Sequence, residues 1–274
     1  MASDLMKVGI GLDLGSTAIK MVITDGEKIL CGLSTATAPG QEEIGRQLIA
    51  RGLESLDLTP EQVSSITTTG YGKKLYSAAD LNMDEISANA AGIFRLSRGQ
   101  ARTVINIGGQ DLKVISLNDD GKVLDFRMND KCAAGTGRFF ELVSRLLDTP
   151  LSEFGNLAGN SGHEVQLSST CVVFAESEII SLLARGVTRE DIIRALHTSV
   201  ARKVAAMMGR TPHDDAIYLD GGPARNRGLV EAIEDELLCD IMVLDDPQFT
   251  VAFGAAIQGS DVRNQVSKPK PPRF

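Results

Sequence analysis

The feature that most constrains the fold is a repeat. LGSTAIKMVITDGEKIL, from Leu14, returns as IGGQDLKVISLNDDGKVL from Ile107. At an offset of 93 residues Gly15 answers Gly108, Ile19 answers Leu112, Lys20 answers Lys113 and Val22 answers Ile115; two residues out of step, Asp25-Gly26 answers Asp120-Gly121. Each copy reads as strand, turn, strand, turn, strand, because β-rich apolar runs alternate with Gly and Asp-Gly pairs. Such a duplication predicts an α/β fold of two similar lobes, each a mixed sheet with helices packed on it. The two glycine turns are expected to face each other across a cleft.

The rest of the chain fits this plan. The spacing predicts a helix over Gln41 to Leu56, a strand over Val63 to Thr69 and mostly helix over Tyr71 to Leu96. Further helices are expected over Ala133 to Leu147, Val172 to Arg185, Arg189 to Gly209 and Asn226 to Leu238, with strands near Val165 to Leu167, Ala216 to Leu219 and Ile241 to Leu244. A Gly-rich loop is expected through Gly155, Gly159 and Gly162, and a last helix over Val251 to Gly259. Lobe boundaries follow at 1–100 and 101–260, with the final helix free to return to the first lobe. Residues 261–274, ending KPKPPRF, lack periodicity and read as a disordered tail.

The turns carry the chemistry. A glycine turn lets backbone N–H groups approach phosphate oxygens with no side chain in the way. Asp13 and Asp111, beside the two turns, would point carboxylates into the cleft to hold Mg-bound waters. Ser16, Thr17 and Lys20 can add hydroxyl and ammonium donors, and Gln110 can orient an attacking water. A single DLGST is a weak signal that a plain hairpin turn explains equally well, but here it is paired and followed in order by Gly135-Thr136-Gly137 and LDGGPARN.

Two further stretches echo each other, NDKCAAGTGRFF from Asn129 and SSTCVVFAESEI from Ser168. In each a cysteine, Cys132 or Cys171, follows small polar residues and precedes a helix-compatible run. A thiol near a helix N-terminus ionises readily and favours an anionic cluster. The two lie 39 residues apart and supply half of the four thiolates an iron–sulfur cluster usually takes; the other half would come from a second copy. As free thiols they would otherwise be taken for buried core residues.

GLDLGSTAIK, INIGGQDLK, YLDGGPARN and FGAA resemble the two phosphate motifs, the adenosine motif and the second connecting motif of the acetate kinase, sugar kinase, Hsp70 and actin superfamily. Within it, NDKCAAGTGRF and STCVVFAESE are similar to the activator ATPases of 2-hydroxyacyl-CoA dehydratases, the BadF/BadG/BcrA/BcrD-type ATPases, from Val8 to about Gly259. The resemblance implies duplicated actin-like, ribonuclease H-like lobes and an ATPase coupled to electron transfer. It implies a homodimer with one 4Fe-4S cluster on Cys132 and Cys171 of both subunits, fed by ferredoxin or flavodoxin and serving a downstream iron–sulfur dehydratase or reductase. It assigns ATP/ADP to Gly15, Ser16, Thr17, Ala18, Ile19, Lys20, Gly108, Gly109, Gln110, Gly135, Thr136, Gly137, Gly221, Gly222 and, more loosely, Gln248. Asp13, Gln110 and Asp111 take the catalytic roles, with Mg2+ on the two aspartates. The chain departs from the family at Asp220-Gly221-Gly222-Pro223, where Thr-Gly-Gly-Val is more usual; both glycines are kept.

Other readings use the same residues: an ATPase subunit of a benzoyl-CoA reductase, or a reductase of a double-cubane-cluster protein. A small-metabolite kinase would leave both cysteine motifs without purpose. A net charge of −8 disfavours nucleic acid and anionic membranes, both of which need a basic face. No apolar run is long enough to cross a bilayer, and the N-terminus lacks a signal h-region, so a cytoplasmic protein is expected. Cys31 and Cys239, beside apolar segments, read as small core residues, and His163, His197 and His213 have no ligand spacing.

Overall fold

The computed structural model describes residues 6–129, 133–167, 172–209 and 216–266. The described chain runs β1 (Val8–Leu14), β2 (Ala18–Thr24), β3 (Ile29–Ala36), α1 (Gln41–Ser55), β4 (Val63–Thr69), β5 (Leu81–Asn82), α2 (Glu85–Leu96), β6 (Thr103–Ile107), β7 (Leu112–Leu117), β8 (Val123–Asn129), α3 (Gly137–Leu146), α4 (Phe154–Gly159), α5 (Val172–Ala184), α6 (Arg189–Met208), β9 (Ile217–Asp220), α7 (Arg227–Leu237), β10 (Met242–Val243) and α8 (Thr250–Val266). Two compact units emerge. The first takes residues up to Gln100, Asp119–Val123 and the described chain from Phe249; the second takes Ala101–Asn118 and Leu124–Gln248.

Strand order is the evidence of duplication. The first sheet runs β3-β2-β1-β4-β5 and the second β8-β7-β6-β9-β10. In each, the inner hairpin is antiparallel and the next strand inward is parallel, β4 beside β1 and β9 beside β6. The hairpins share a register: Asp13 pairs with Lys20 and Leu14 with Ile19 in one, Asn106 with Lys113 and Ile107 with Leu112 in the other.

In the first unit Ile10, Leu12, Leu14, Met21 and Ile23 bury one sheet face under Leu48, Ile49 and Leu53 of α1. The other face takes α8, close enough that a Cβ at Gly11 would lie 1.8 Å from the Ala252 carbonyl oxygen. Helix α2 packs as tightly on α8, since a Cβ at Gly92 would meet the Thr250 carbonyl oxygen at 2.0 Å. The second unit centres on Ile105, Ile107, Leu112 and Val114, covered by Phe139, Phe140 and Val143 of α3 and by Ile193, Leu196 and Val200 of α6.

Several elements depart from the sequence expectation. The stretch before Glu85 is turn and short strand rather than helix. Asp80 accepts from the Ile66 amide at 2.8 Å, and helix starts only where Asp84 caps it by accepting from the Ser87 amide at 2.8 Å. Helix α3 starts at Gly137 rather than Ala133, because Gly135 has φ +87° and Thr136 is extended. Gly155 and Gly159 belong to α4 rather than a loop, anchored by the buried Phe154. Residues 165–167 form no strand; Val165 and Leu167 pack against the core instead. Helix α8 continues to Val266, six residues into the stretch expected to be disordered.

Candidate functional site: two glycine turns, each backed by a lysine and an aspartate

In the first unit β1 ends at Leu14 and the turn 15–17 leads into β2, which places Asp13 and Lys20 side by side across the hairpin. The Lys20 ammonium donates to Asp13 Oδ2 at 2.9 Å, and Asp13 is buried. Its other oxygen faces a space kept open by glycine. A Cβ at Gly70 would sit 2.5 Å from Asp13 Oδ1, and one at Gly15 would sit 2.7 Å from the Ala18 carbonyl oxygen. Thr37 straps the turn, its amide donating to the Thr17 carbonyl at 2.9 Å and its hydroxyl to the Gly15 carbonyl at 2.8 Å. Gly15, Ser16, Thr17 and Ala18 stay partly exposed, whereas the Ile19 side chain lies in the core.

The second unit repeats this plan with changes. Lys113 is almost wholly buried and donates to Asp111 Oδ1 at 2.6 Å. A Cβ at Gly108 would lie 2.2 Å from that same oxygen, so the glycine makes room for the carboxylate. Gln110 is exposed on the turn, with Gly108 and Gly109 half-buried beside it. The start of α3 is bound to this turn: the Gly137 amide donates to the Gly108 carbonyl and the Arg138 amide to the Gly109 carbonyl, both at 2.9 Å. The Thr136 hydroxyl turns back to the Ala133 carbonyl at 2.7 Å rather than capping the helix.

A further correspondence ties the strand ends. Gly70 after β4 and Gly221 after β9 both take positive φ, +84° and +92°. A Cβ there would strike the carbonyl oxygen at the end of the neighbouring strand, Leu14 at 2.8 Å or Ile107 at 2.1 Å. In both places only glycine lets two parallel strands converge beside the turn. Gly222 opens a short 3-10 turn where an added Cβ would meet nothing within 4 Å, and Arg225 of that turn donates to Gln248 Oε1 at 3.1 Å. The candidate residues 108–111, 135–137, 221–222 and 248 therefore gather at the C-terminal ends of β6 and β9, the edge where open α/β sheets bind ligands.

Sequence reasoning missed Thr37, Gly70 and Asn106. Thr69-Gly70 and Asp220-Gly221 hold equivalent places, a likeness too short to stand out without the strand pairing. Cys132 and Cys171, with their expected cluster, lie outside the described residues; Val172, the first residue of α5, follows Cys171 directly. His213 also lies outside them. Cys31 and Cys239 are free and half-buried, as expected of packing residues.

For Mg2+ the fit is favourable. Each buried aspartate has one oxygen on a lysine or beside a glycine cradle, which suits an ion held through waters and substrate phosphates rather than an all-protein cage. Among the described residues no group of three or more His, Cys, Asp or Glu side chains is placed to hold a metal by itself, and no helix is long and apolar enough to cross a membrane.

Two sheets of one strand order, each ending in a lysine-backed glycine turn, define an ATPase of the actin-like class. The chain belongs to the BadF/BadG/BcrA/BcrD ATPase family, whose model matches residues 10–259. It is 42% identical over 249 residues to the activator of lactoyl-CoA dehydratase of Anaerotignum propionicum, covering 90% of this chain and 95% of that one. To the 2-hydroxyisocaproyl-CoA dehydratase activator of Clostridioides difficile it is 40% identical over 260 residues, covering 94% and 97%. The solved structure of the activator of the 2-hydroxyisocaproyl-CoA dehydratase from Clostridium difficile with bound ADPNP superposes with a TM-score of 0.89 at 40% identity, covering 97% of this chain and all of that one. The resemblance read from the glycine turns and cysteine motifs is borne out.

Proposed function

We propose that this chain is an ATP-driven electron donor that hydrolyses MgATP and activates a separate iron–sulfur enzyme, a 2-hydroxyacyl-CoA dehydratase being the first choice. The observation that supports this most is the doubled, lysine-backed turn in a chain that is 42% identical, over 90% of its length, to a dehydratase activator.

In this reading the backbone of Gly15 to Lys20 and of Gly108 to Gln110 offers N–H donors to phosphate oxygens, with Ser16, Thr17 and the Lys20 ammonium beside them. Asp13 and Asp111 hold the waters of a Mg2+ ion, and Gln110 orients the attacking water. Gly135, Thr136, Gly137, Gly221, Gly222 and Gln248 complete the nucleotide site. A 4Fe-4S cluster held by Cys132 and Cys171 of two copies supplies the one-electron chemistry when bound. The amides of Gly137 and Arg138 tie α3 to the second turn, so a change in that turn on hydrolysis is passed to the chain that follows Cys132. Ferredoxin or flavodoxin is the class of electron source, and the cytoplasm the setting.

The test is iron and acid-labile sulfide on anaerobically purified protein, with its mass in solution and ATP-dependent reduction of a purified dehydratase. Half a 4Fe-4S cluster per chain in a dimer, with coupled reduction, is the expected result. A colourless monomer that binds ATP would overturn it in favour of a small-metabolite kinase. Cys132→Ala protein that still couples hydrolysis to reduction would remove the cluster assignment.

A further inference from the structure

The two units are copies with one conspicuous exchange. In the first, β1 brings Asp13 to the cross-strand pair with Lys20, and its parallel neighbour β4 sets Thr69 beside it. In the second, β6 brings Asn106 to the equivalent pair with Lys113, and its parallel neighbour β9 sets Asp220 beside it. The carboxylate has moved one strand over. It remains connected: Asn106 Nδ2 donates to Asp220 Oδ1 at 2.7 Å, and the Lys113 ammonium reaches Asn106 Oδ1 at 3.4 Å and Asp111 Oδ1 at 2.6 Å. All four residues are buried, Asp220 and Lys113 almost completely.

This arrangement has a direction. Because the Asn106 amide gives its N–H to Asp220, its oxygen must face Lys113. The amide thus relays the negative end of Asp220 to the ammonium, which in turn holds Asp111. Asp111 balances the Lys113 ammonium directly, the Asn106 amide brings no charge of its own, and Asp220 adds a second carboxylate to the network at one remove. We propose that Asp220 is the transposed counterpart of Asp13, a positioning residue that acts through Asn106 and Lys113 to orient Asp111. It is thereby the residue that sets the Mg2+ requirement of the second turn. The unusual Asp220-Gly221-Gly222 sequence then has a purpose: the strand that leads into the adenosine motif carries the acid that β6 lacks at Asn106, opposite Lys113. The inference rests on the reading of Asp111 as a holder of Mg-bound water.

The test is transposition. The affinity of a fluorescent ATP analogue is measured against Mg2+ concentration, alongside ATP hydrolysis, for wild type, Asp220→Ala, Asn106→Asp and the double variant Asn106→Asp/Asp220→Asn. Asp220→Ala is expected to raise the half-saturating Mg2+ concentration at least about tenfold. Asn106→Asp alone sets two carboxylates against each other and is expected to fare no better. The double variant rebuilds the direct Asp–Lys pair of the first unit and is expected within about threefold of wild type in both readouts. A role confined to packing would not be rescued by moving the charge between strands. The inference is overturned if Asp220→Ala keeps the wild-type Mg2+ dependence, or if the double variant is as poor as a single one. Should Asp220→Ala not fold, the double variant still decides. Asp111→Asn separates the two levels: if it keeps the wild-type Mg2+ dependence, the reading of Asp111 fails and this inference with it. If it loses that dependence while Asp220→Ala keeps it, only this inference fails.

Discussion

Lys113 is the most committed single residue, an ammonium almost wholly buried among Asp111, Asn106 and, through the amide, Asp220. Replacing it by Met strands buried carboxylates, and removing one partner of a buried pair costs on the order of 3–5 kcal/mol. Urea unfolding of Lys113→Met should show a loss of that size; a change below about 1 kcal/mol would mean that the pair is dispensable. His197 sets a pH limit. Asn226 caps α7 by accepting from the Leu229 amide, which leaves its amide nitrogen to donate to His197 Nε2 at 2.9 Å, so that ring nitrogen must accept. Burial holds the imidazole down at about 4 against an ordinary 6.5. The unfolded chain therefore binds the extra proton first. Stability is full above pH 6.5 and falls as pH drops towards 4, by about 3 kcal/mol across that window. Denaturant midpoints at pH 7 and pH 5 should differ in wild type and draw together in His197→Gln. Asp191 governs a lower range. The His163 amide first, then the Thr188 hydroxyl, the Ser161 hydroxyl and the Gly162 amide hold its carboxyl at about 2. Its contribution persists above its ordinary value of 3.8 and is lost only as pH falls towards 2.

Among the elements, α8 shows how close backbone approach reverses a familiar preference. In an exposed helix interior Gly→Ala gains up to about 1 kcal/mol. At Gly92 the new Cβ would lie 2.0 Å from the Thr250 carbonyl oxygen, and at Gly254 1.8 Å from that of Ala88. Both substitutions should lower the melting temperature, and a Gly92→Ala protein that melts higher would refute the tight seat of α2 on α8. Gly221→Ala combines a φ of +92° with a contact 2.1 Å from the Ile107 carbonyl, so it should cost ATP affinity at least about tenfold by titration. Much of this was legible in the sequence. The repeat from Leu14 and Ile107 dictated two sheets, because a strand period and a turn residue are local properties. The 71–80 stretch was not legible, since its course depends on the Asp80 carboxylate meeting the distant Ile66 amide. The start of α3 was missed for a similar reason. Small residues around Gly135 suit a helix, but the left-handed backbone there is set by docking to the second turn.

For the whole molecule, a ligand that binds only the folded state stabilises it by mass action. MgATP at one hundred times its dissociation constant should add about 2.7 kcal/mol, a rise of roughly 5–10 °C in a chain this size. Chelating Mg2+ should remove most of it; an unchanged melting curve with MgATP would count against the nucleotide assignment. The candidate site was only half legible at this scale. Lys20 and Lys113 stood out because the repeat aligned them, and Asp13 and Asp111 because each lies beside a glycine turn. The role of Asp220 did not, because it emerges only when β9 is laid beside β6. The return of α8 to the first unit has a consequence for synthesis. Strands β1 to β5 leave the ribosome early, yet the helix that covers one face of their sheet follows every other described element. The second unit's described strands and helices all precede α8, so it has everything it needs while the first still shows Gly11 and Val22 to solvent. During translation the order of completion is thus inverted, and that face of the first sheet stays uncovered until α8 emerges.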